Sequence, residues 1–115
     1  MNEDVAIMIV DPSATEALFG DAKIAMHLYG ILHSTLQEDH KKLLVECHTL
    51  QYETAKSLIH RIKGSLKYCK APEYEHHLLA LEEDIMQGMS LSDALHALEH
   101  VYQKLYAVLD AMLAE

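Results

Sequence analysis

Between Glu53 and Cys69 the chain reads E-T-A-K-S-L-I-H-R-I-K-G-S-L-K-Y-C, and at the helical period this stretch divides into two faces. Ala55, Leu58, Ile59, Ile62, Leu66 and Cys69 recur in steps of three and four and form an apolar stripe. Glu53, Lys56, Ser57, His60, Lys63, Gly64 and Lys67 recur on the other side. Such a segment is stable as an amphipathic helix whose stripe is buried against other helices. His60 then lies mid-helix on the face toward water, with a lysine about one turn away on either side. Gly64 is out of place in a helix interior, where glycine costs about 0.5–1 kcal/mol relative to alanine. Helical side chains lean toward the N-terminus, so position 64 overhangs His60. A missing Cβ there leaves room beside the imidazole for a phosphate or an approaching protein.

The rest of the chain supplies the partners for that stripe. Met1 to Val10 is a short arm in which Val5, Ile7 and Ile9 alternate with no pairing strand nearby. Asp11-Pro12 reads as a helix cap followed by proline at the first helical position, and Gly20 ends that short helix. Asp21 caps a long segment reaching about Cys47, with Ala25, Leu28, Leu32, Leu36, Leu43 and Cys47 as its stripe. Asp39 and His40 interrupt the stripe, and a bend or loosening is expected there. His48 to Gln51 forms the connector, and the His60 helix runs from about Tyr52 to Tyr68. Pro72 starts the next helix, with Tyr74, Leu78, Leu81 and Ile85 inward, and Gly88 closes it. Ser90 with Asp93 resembles a capping box for a last helix extending to about Leu113. The expected fold is all-α, an antiparallel four-helix bundle with a short extra N-terminal helix, in one domain spanning residues 1–115.

The residues H-R-I-K-G-S at positions 60–65 resemble the signature of histidine-containing phosphotransfer domains. Ala71, Tyr74, Leu78, Leu81 and Glu82 extend the same register downstream, while Leu66 and Lys70 stand where the family often has a small residue and a glycine. The resemblance implies a phosphorelay protein: His60 accepts a phosphoryl group from a receiver-domain aspartyl-phosphate and passes it to another receiver. Lys63, and with it Lys67, would stabilise the phosphohistidine through charge-assisted hydrogen bonds. By register, Glu82 would accept a hydrogen bond from the other imidazole nitrogen and orient the ring. The attacking nitrogen must be neutral, and the ordinary histidine pKa of about 6.5 leaves an exposed imidazole largely so at cytosolic pH. The implied partners are response-regulator receiver domains and, further, a hybrid sensor kinase. Magnesium would belong to the receiver, this chain needing no cofactor of its own. Docking is expected around His60, on Lys56, Ser57, Arg61, Lys63, Ser65 and Lys67, with Leu36 from the preceding helix.

Charge and composition bound the alternatives. The net charge of −9 argues against nucleic acid as the main partner. Yet five of the nine basic residues, Lys56, Arg61, Lys63, Lys67 and Lys70, fall within fifteen positions around His60. An isolated cluster of this kind is usually a solvated, salt-bridged helix face; centred on a histidine it also suits phosphate and an acidic partner. The longest apolar run, Val5 to Val10, is too short to span a membrane, and a cytoplasmic monomer is expected. Cys47 and Cys69 are too few for a disulfide framework and read as reduced thiols. His96 and His100 have a spacing that could share a metal ion, but no third ligand of fixed spacing accompanies them. Met1 favours a free-standing shuttle over a segment of a larger sensor. Two other readings stay open: a helical docking module that binds receivers or kinases without transfer, and the dimerising histidine domain of a sensor kinase. The second fits poorly, because Arg61 stands where such a domain carries an acidic residue and no ATP-binding module is present.

Overall fold

The computed structural model describes residues 8–114. Among these the architecture is all-helical, with five helices: α1 Pro12–Phe19, α2 Ala22–His48, α3 Tyr52–Leu66, α4 Pro72–Met86 and α5 Ser92–Leu113. No helix of the described residues is long and apolar enough to cross a membrane. The alternation at Val5 and Ile7 lies outside the described residues. The end of the arm is tied down, since the Met8 carbonyl accepts from Glu73 N–H at 3.0 Å and Ile9 and Val10 pack on the core.

Local chemistry sets most helix ends. The Asp11 carboxylate accepts from Ala14 N–H ahead of Pro12, and Gly20 ends α1 in the left-handed region at φ 71°. The Asp21 side chain caps α2 through Lys23 N–H. Two helices close with the same paired bonds of a Schellman motif. After α4, Gly88 N–H donates to Ile85 and Met89 N–H to Asp84, with Gly88 at φ 66°. After α2, Leu50 N–H donates to Cys47 and Gln51 N–H to Glu46, but the left-handed residue is Leu50 at φ 62°. A leucine in that conformation carries a penalty of about 1–2 kcal/mol that a glycine avoids. Three boundaries differ from the sequence reading. His48 completes α2, α3 stops at Leu66 where Tyr68 and Cys69 N–H both turn onto the Ser65 carbonyl, and α5 begins at Ser92. Leu91 is the residue before α5, no side chain caps it, and Ser90 lies too early to form the expected capping box.

The apolar stripes meet in one core, with Leu43, Ile59, Ile62, Leu78, Leu81, Leu98 and Leu105 nearly inaccessible. Each such side chain contributes about 1.5–3 kcal/mol of burial. Helix α2 packs on α1, α3 and α5, and α4 packs on α3 and α5. Helix α1 is anchored by a buried polar knot. Tyr29 O–H donates to the Lys70 carbonyl at 2.7 Å, Lys70 N–H donates to Thr15 Oγ1 at 3.0 Å, and the Thr15 and Tyr29 hydroxyls lie 3.1 Å apart. Asp11 N–H shares the same carbonyl at 2.9 Å. Lys70, which replaces the glycine of the resemblance, does not have a positive φ, so its backbone needs no glycine there.

The largest departure from the sequence reading is at His40. Helix α2 runs unbroken through Asp39 and His40, and the His40 ring is 2% exposed, in register with Leu36 and Leu43. Its Nε2 lies 2.6 Å from Glu99 Oε1 and its Nδ1 2.9 Å from the Tyr74 hydroxyl. A carboxylate only accepts, so Nε2 carries the hydrogen and Tyr74 O–H donates to Nδ1. Tyr102 stacks on the ring at 3.9 Å. The interruption of the stripe is therefore a satisfied polar core residue.

Candidate functional site

His60 occupies the middle of α3, whose stripe of Ala55, Leu58, Ile59, Ile62 and Leu66 is buried. That anchoring fixes the opposite face, and His60 is exposed on it. Ser57, Arg61, Ser65 and Lys67 are exposed around it, while Lys56, Lys63 and Gly64 are half-buried. A Cβ built at Gly64 would meet nothing within 4 Å. Packing inside the protein therefore does not require this glycine, and the space it leaves opens outward beside His60.

Three of the cations around His60, Lys56, Arg61 and Lys63, hold carboxylates. Lys63 Nζ donates to Glu82 Oε1 of α4 at 3.1 Å, with both side chains largely covered. Arg61 grips Asp39 of α2 with two nitrogens, at 2.5 and 3.3 Å, which raises the guanidinium pKa further through the hydrogen bond and the adjacent charge. Lys56 pairs with Glu53 at 3.1 Å on an open surface, a contact worth little. Glu82 is thus not bonded to the ring as the register implied: its carboxylate accepts a charge-assisted bond from Lys63. Among the described residues, His60 makes no side-chain hydrogen bond.

Leu36 requires the opposite correction. It is 2% exposed and belongs to the core, because the stripe of α2 that carries it faces α3 and α5. Exposed apolar groups at the C-terminal end of α3 are instead Phe19, Ile31 and Tyr68, exposed by 39%, 48% and 53%. Phe19 and Tyr68 rings contact at 6.0 Å, and Ile31 and Tyr68 border a hollow of about 150 Å³ that also contains Thr35 and Ser65. The sequence offered a signal for these residues in the apolar pair Leu18-Phe19 at the end of α1 and in Ile31 beside the Leu32 stripe. Ile31 lies outside the buried register of α2, and the Leu18-Phe19 pair is left exposed beyond Thr15, the buried residue of α1.

Two other groups bear on the chemistry. Burial pushes the thiols of Cys47 and Cys69 up to about 11, aided for Cys47 by Glu46, so both are protonated at neutral pH. They are free and buried. His96 and His100 are both exposed on α5, and among the described residues no group of three or more His, Cys, Asp or Glu side chains is placed to hold a metal ion.

Comparisons with protein-family models, with curated proteins and with solved structures each gave no match.

Proposed function

We propose that this protein is a histidine phosphotransfer protein of a two-component phosphorelay, with His60 as the phosphorylated nucleophile. The observation that carries the reading is an exposed histidine on a rigidly buried helix, followed at one turn by Lys63 and by a glycine that internal packing does not demand. The lone pair of a neutral imidazole nitrogen attacks the phosphorus of a receiver aspartyl-phosphate. The N–P bond forms as the acyl O–P bond breaks, and the carboxylate leaves with the bonding pair. Such a transfer needs positioning and charge stabilisation more than covalent machinery, with magnesium supplied by the receiver. The docking partner is a receiver domain, engaged by the charged His60 face and by the Phe19, Ile31 and Tyr68 margin, and the encounter is transient.

The fold that suits this role is an antiparallel four-helix bundle, with α1 appended. Its support is the closed ring of packing α2–α3–α4–α5–α2 and the order of the cross-links. Asp39 meets Arg61, Glu82 meets Lys63, Glu73 meets Lys104, and His40 meets Glu99 while the earlier His33 meets the later Asp110. The reversed order of the two α2–α5 pairings, and the near-equal distance of Asp39 and Arg61 and of Glu73 and Lys104 from the connector between their helices, are what antiparallel neighbours would give.

One observation favours the second reading, a docking module without transfer: three cations around His60 are already engaged by carboxylates. The two readings separate in one experiment. Receiver domains from the same cell are phosphorylated, mixed with the protein, and followed for loss of label from the receiver and gain on this chain. Transfer from at least one receiver, abolished by His60→Gln, supports the relay. Binding that survives His60→Gln with no movement of label supports the docking module.

A further inference from the structure

From the contact between Lys63 and Glu82 we infer that Glu82 is a competitor built into the site, a positioning residue that withholds Lys63 from the phosphoryl group and keeps phosphohistidine readily transferable. The inference rests on the relay reading above and concerns the energetics of its site.

Lys63 stands three residues after His60, so the two side chains are neighbours on the α3 surface. Its ammonium can therefore serve an anion on the imidazole, yet Nζ lies 3.1 Å from Glu82 Oε1. Both side chains are largely covered, with 33% and 24% of their surface exposed, so the pair is screened less than one in open water. Glu82 is placed by α4, whose Leu78 and Leu81 are fully buried, and Lys63 by α3, whose Ile59 and Ile62 are likewise buried. Neither carboxylate nor ammonium can drift from the other without a side-chain rearrangement.

When the phosphoryl group arrives, Lys63 has two anionic claimants. If it turns to the phosphate, Glu82 loses its partner in a half-buried position and its charge faces the new anion. If it stays with Glu82, the phosphate is left with less stabilisation. Either way the phosphorylated state is raised in free energy relative to a site holding a free lysine. A carrier profits from that arrangement, because a group bound too well is not passed on. The same pairing explains why a cationic surface on an acidic protein need not retain every phosphate it meets, since Arg61 is likewise engaged by Asp39.

The test measures phosphoryl occupancy of His60 at equilibrium with a small donor. Purified protein comprising residues 1–115 is held with fixed concentrations of phosphoramidate and ammonium, and occupancy is read by intact mass. In this exchange the imidazole nitrogen forms the N–P bond as the donor N–P bond breaks, and ammonia leaves with the pair. Wild type, Glu82→Gln, Lys63→Ala and the double variant are compared, with melting curves to show that each is folded. Glu82→Ala serves as a second removal of the charge should Glu82→Gln fold poorly.

Glu82→Gln is expected to raise the ratio of phosphorylated to free protein roughly threefold, the scale of a partly exposed charge pair. In the Lys63→Ala background the same change should have a much smaller effect. A structural role for the pair would alter the melt and leave the ratio unmoved. Normal uptake on His60 with an unchanged or lower ratio in Glu82→Gln overturns the inference. So does a threefold rise that persists in full without Lys63. Absence of phosphoryl uptake in every folded variant overturns the relay reading itself, and this one with it.

Discussion

Two histidines of α2 and α3 show how one side chain is given opposite tasks by its surroundings. His40 is enclosed, with both ring nitrogens bonded and Tyr102 stacked against one face. Burial pulls its pKa below the ordinary 6.5, against the opposing hydrogen bond and charge of Glu99. His60 is exposed on a helix whose other face is locked into the core, and beside it Arg61 is paired with Asp39 and Lys63 with Glu82. The first ring ties α2, α4 and α5 together and has no nitrogen left for chemistry. The second is open to solvent, which is what a nucleophile for a protein-borne phosphoryl group requires. The face of its helix that a histidine occupies decides whether its ring is enclosed or open to a partner.

The sharpest way to break this contrast is to delete each ring in turn. His40→Ala leaves the Tyr74 hydroxyl unpaired and a void in the core, so a loss of about 2–4 kcal/mol is expected in urea unfolding. His60→Ala should change the same measurement by less than about 0.5 kcal/mol. Comparable losses would mean that His60 is also structural.

Acid should act next, and on the interior histidine. The folded pKa of His40 is below its unfolded value, so the unfolded chain binds the proton first. The stability it contributes is therefore complete above about pH 6.5 and is lost as pH falls through the folded value, by up to about 1.4 kcal/mol per pH unit. His77, also lowered, chiefly by burial, adds in the same direction. Burial pushes Glu99 up, but hydrogen bonds from His40 and Gln103 outweigh it, so Glu99 extends the loss at lower pH. Melting temperatures should hold between pH 7.5 and about 6.5 and fall from there to pH 5.5. A flat profile would contradict a neutral His40 in the core.

Gly64 sharpens the other side of the comparison. Because a Cβ there meets nothing, Gly64→Ala should stabilise the fold by about 0.5–1 kcal/mol. The same variant should slow transfer from a receiver, since the added methyl occupies space beside His60. Greater stability with unimpaired transfer would show that the glycine serves no partner. The smallest effect belongs to Lys56→Ala, whose exposed pair with Glu53 should leave the unfolding curve unmoved.

The parts of the fold legible in the sequence are those decided by neighbouring residues. Asp11-Pro12, Gly20, Pro72 and Gly88 announce helix ends through their own backbone preferences, and the stripe of α3 announces its buried face. Ser90 misled because a capping pattern one residue early looks the same in a sequence as one in place. What stayed hidden depends on distant partners. Thr15 meets Lys70 55 residues away, and His40 meets Glu99 across 59. His40 could have been recognised from its position four after Leu36 and three before Leu43, which keeps the stripe in register. Leu36 was misplaced for the same reason in reverse, its buried register being set aside in favour of a surface role. Within the candidate site, the sequence placed His60, Lys63 and Gly64 on one face. It did not reveal that Glu82 would be taken by Lys63, because that choice is made between α3 and α4.

The most direct measurement is the intact mass of the protein after incubation with phosphoramidate, with the modified peptide located under alkaline conditions that preserve phosphohistidine. The account predicts one acid-labile phosphoryl group, carried by His60 and absent from a folded His60→Gln variant. A group found on another histidine, or no uptake by the folded protein from phosphoramidate or any cognate receiver, would contradict it.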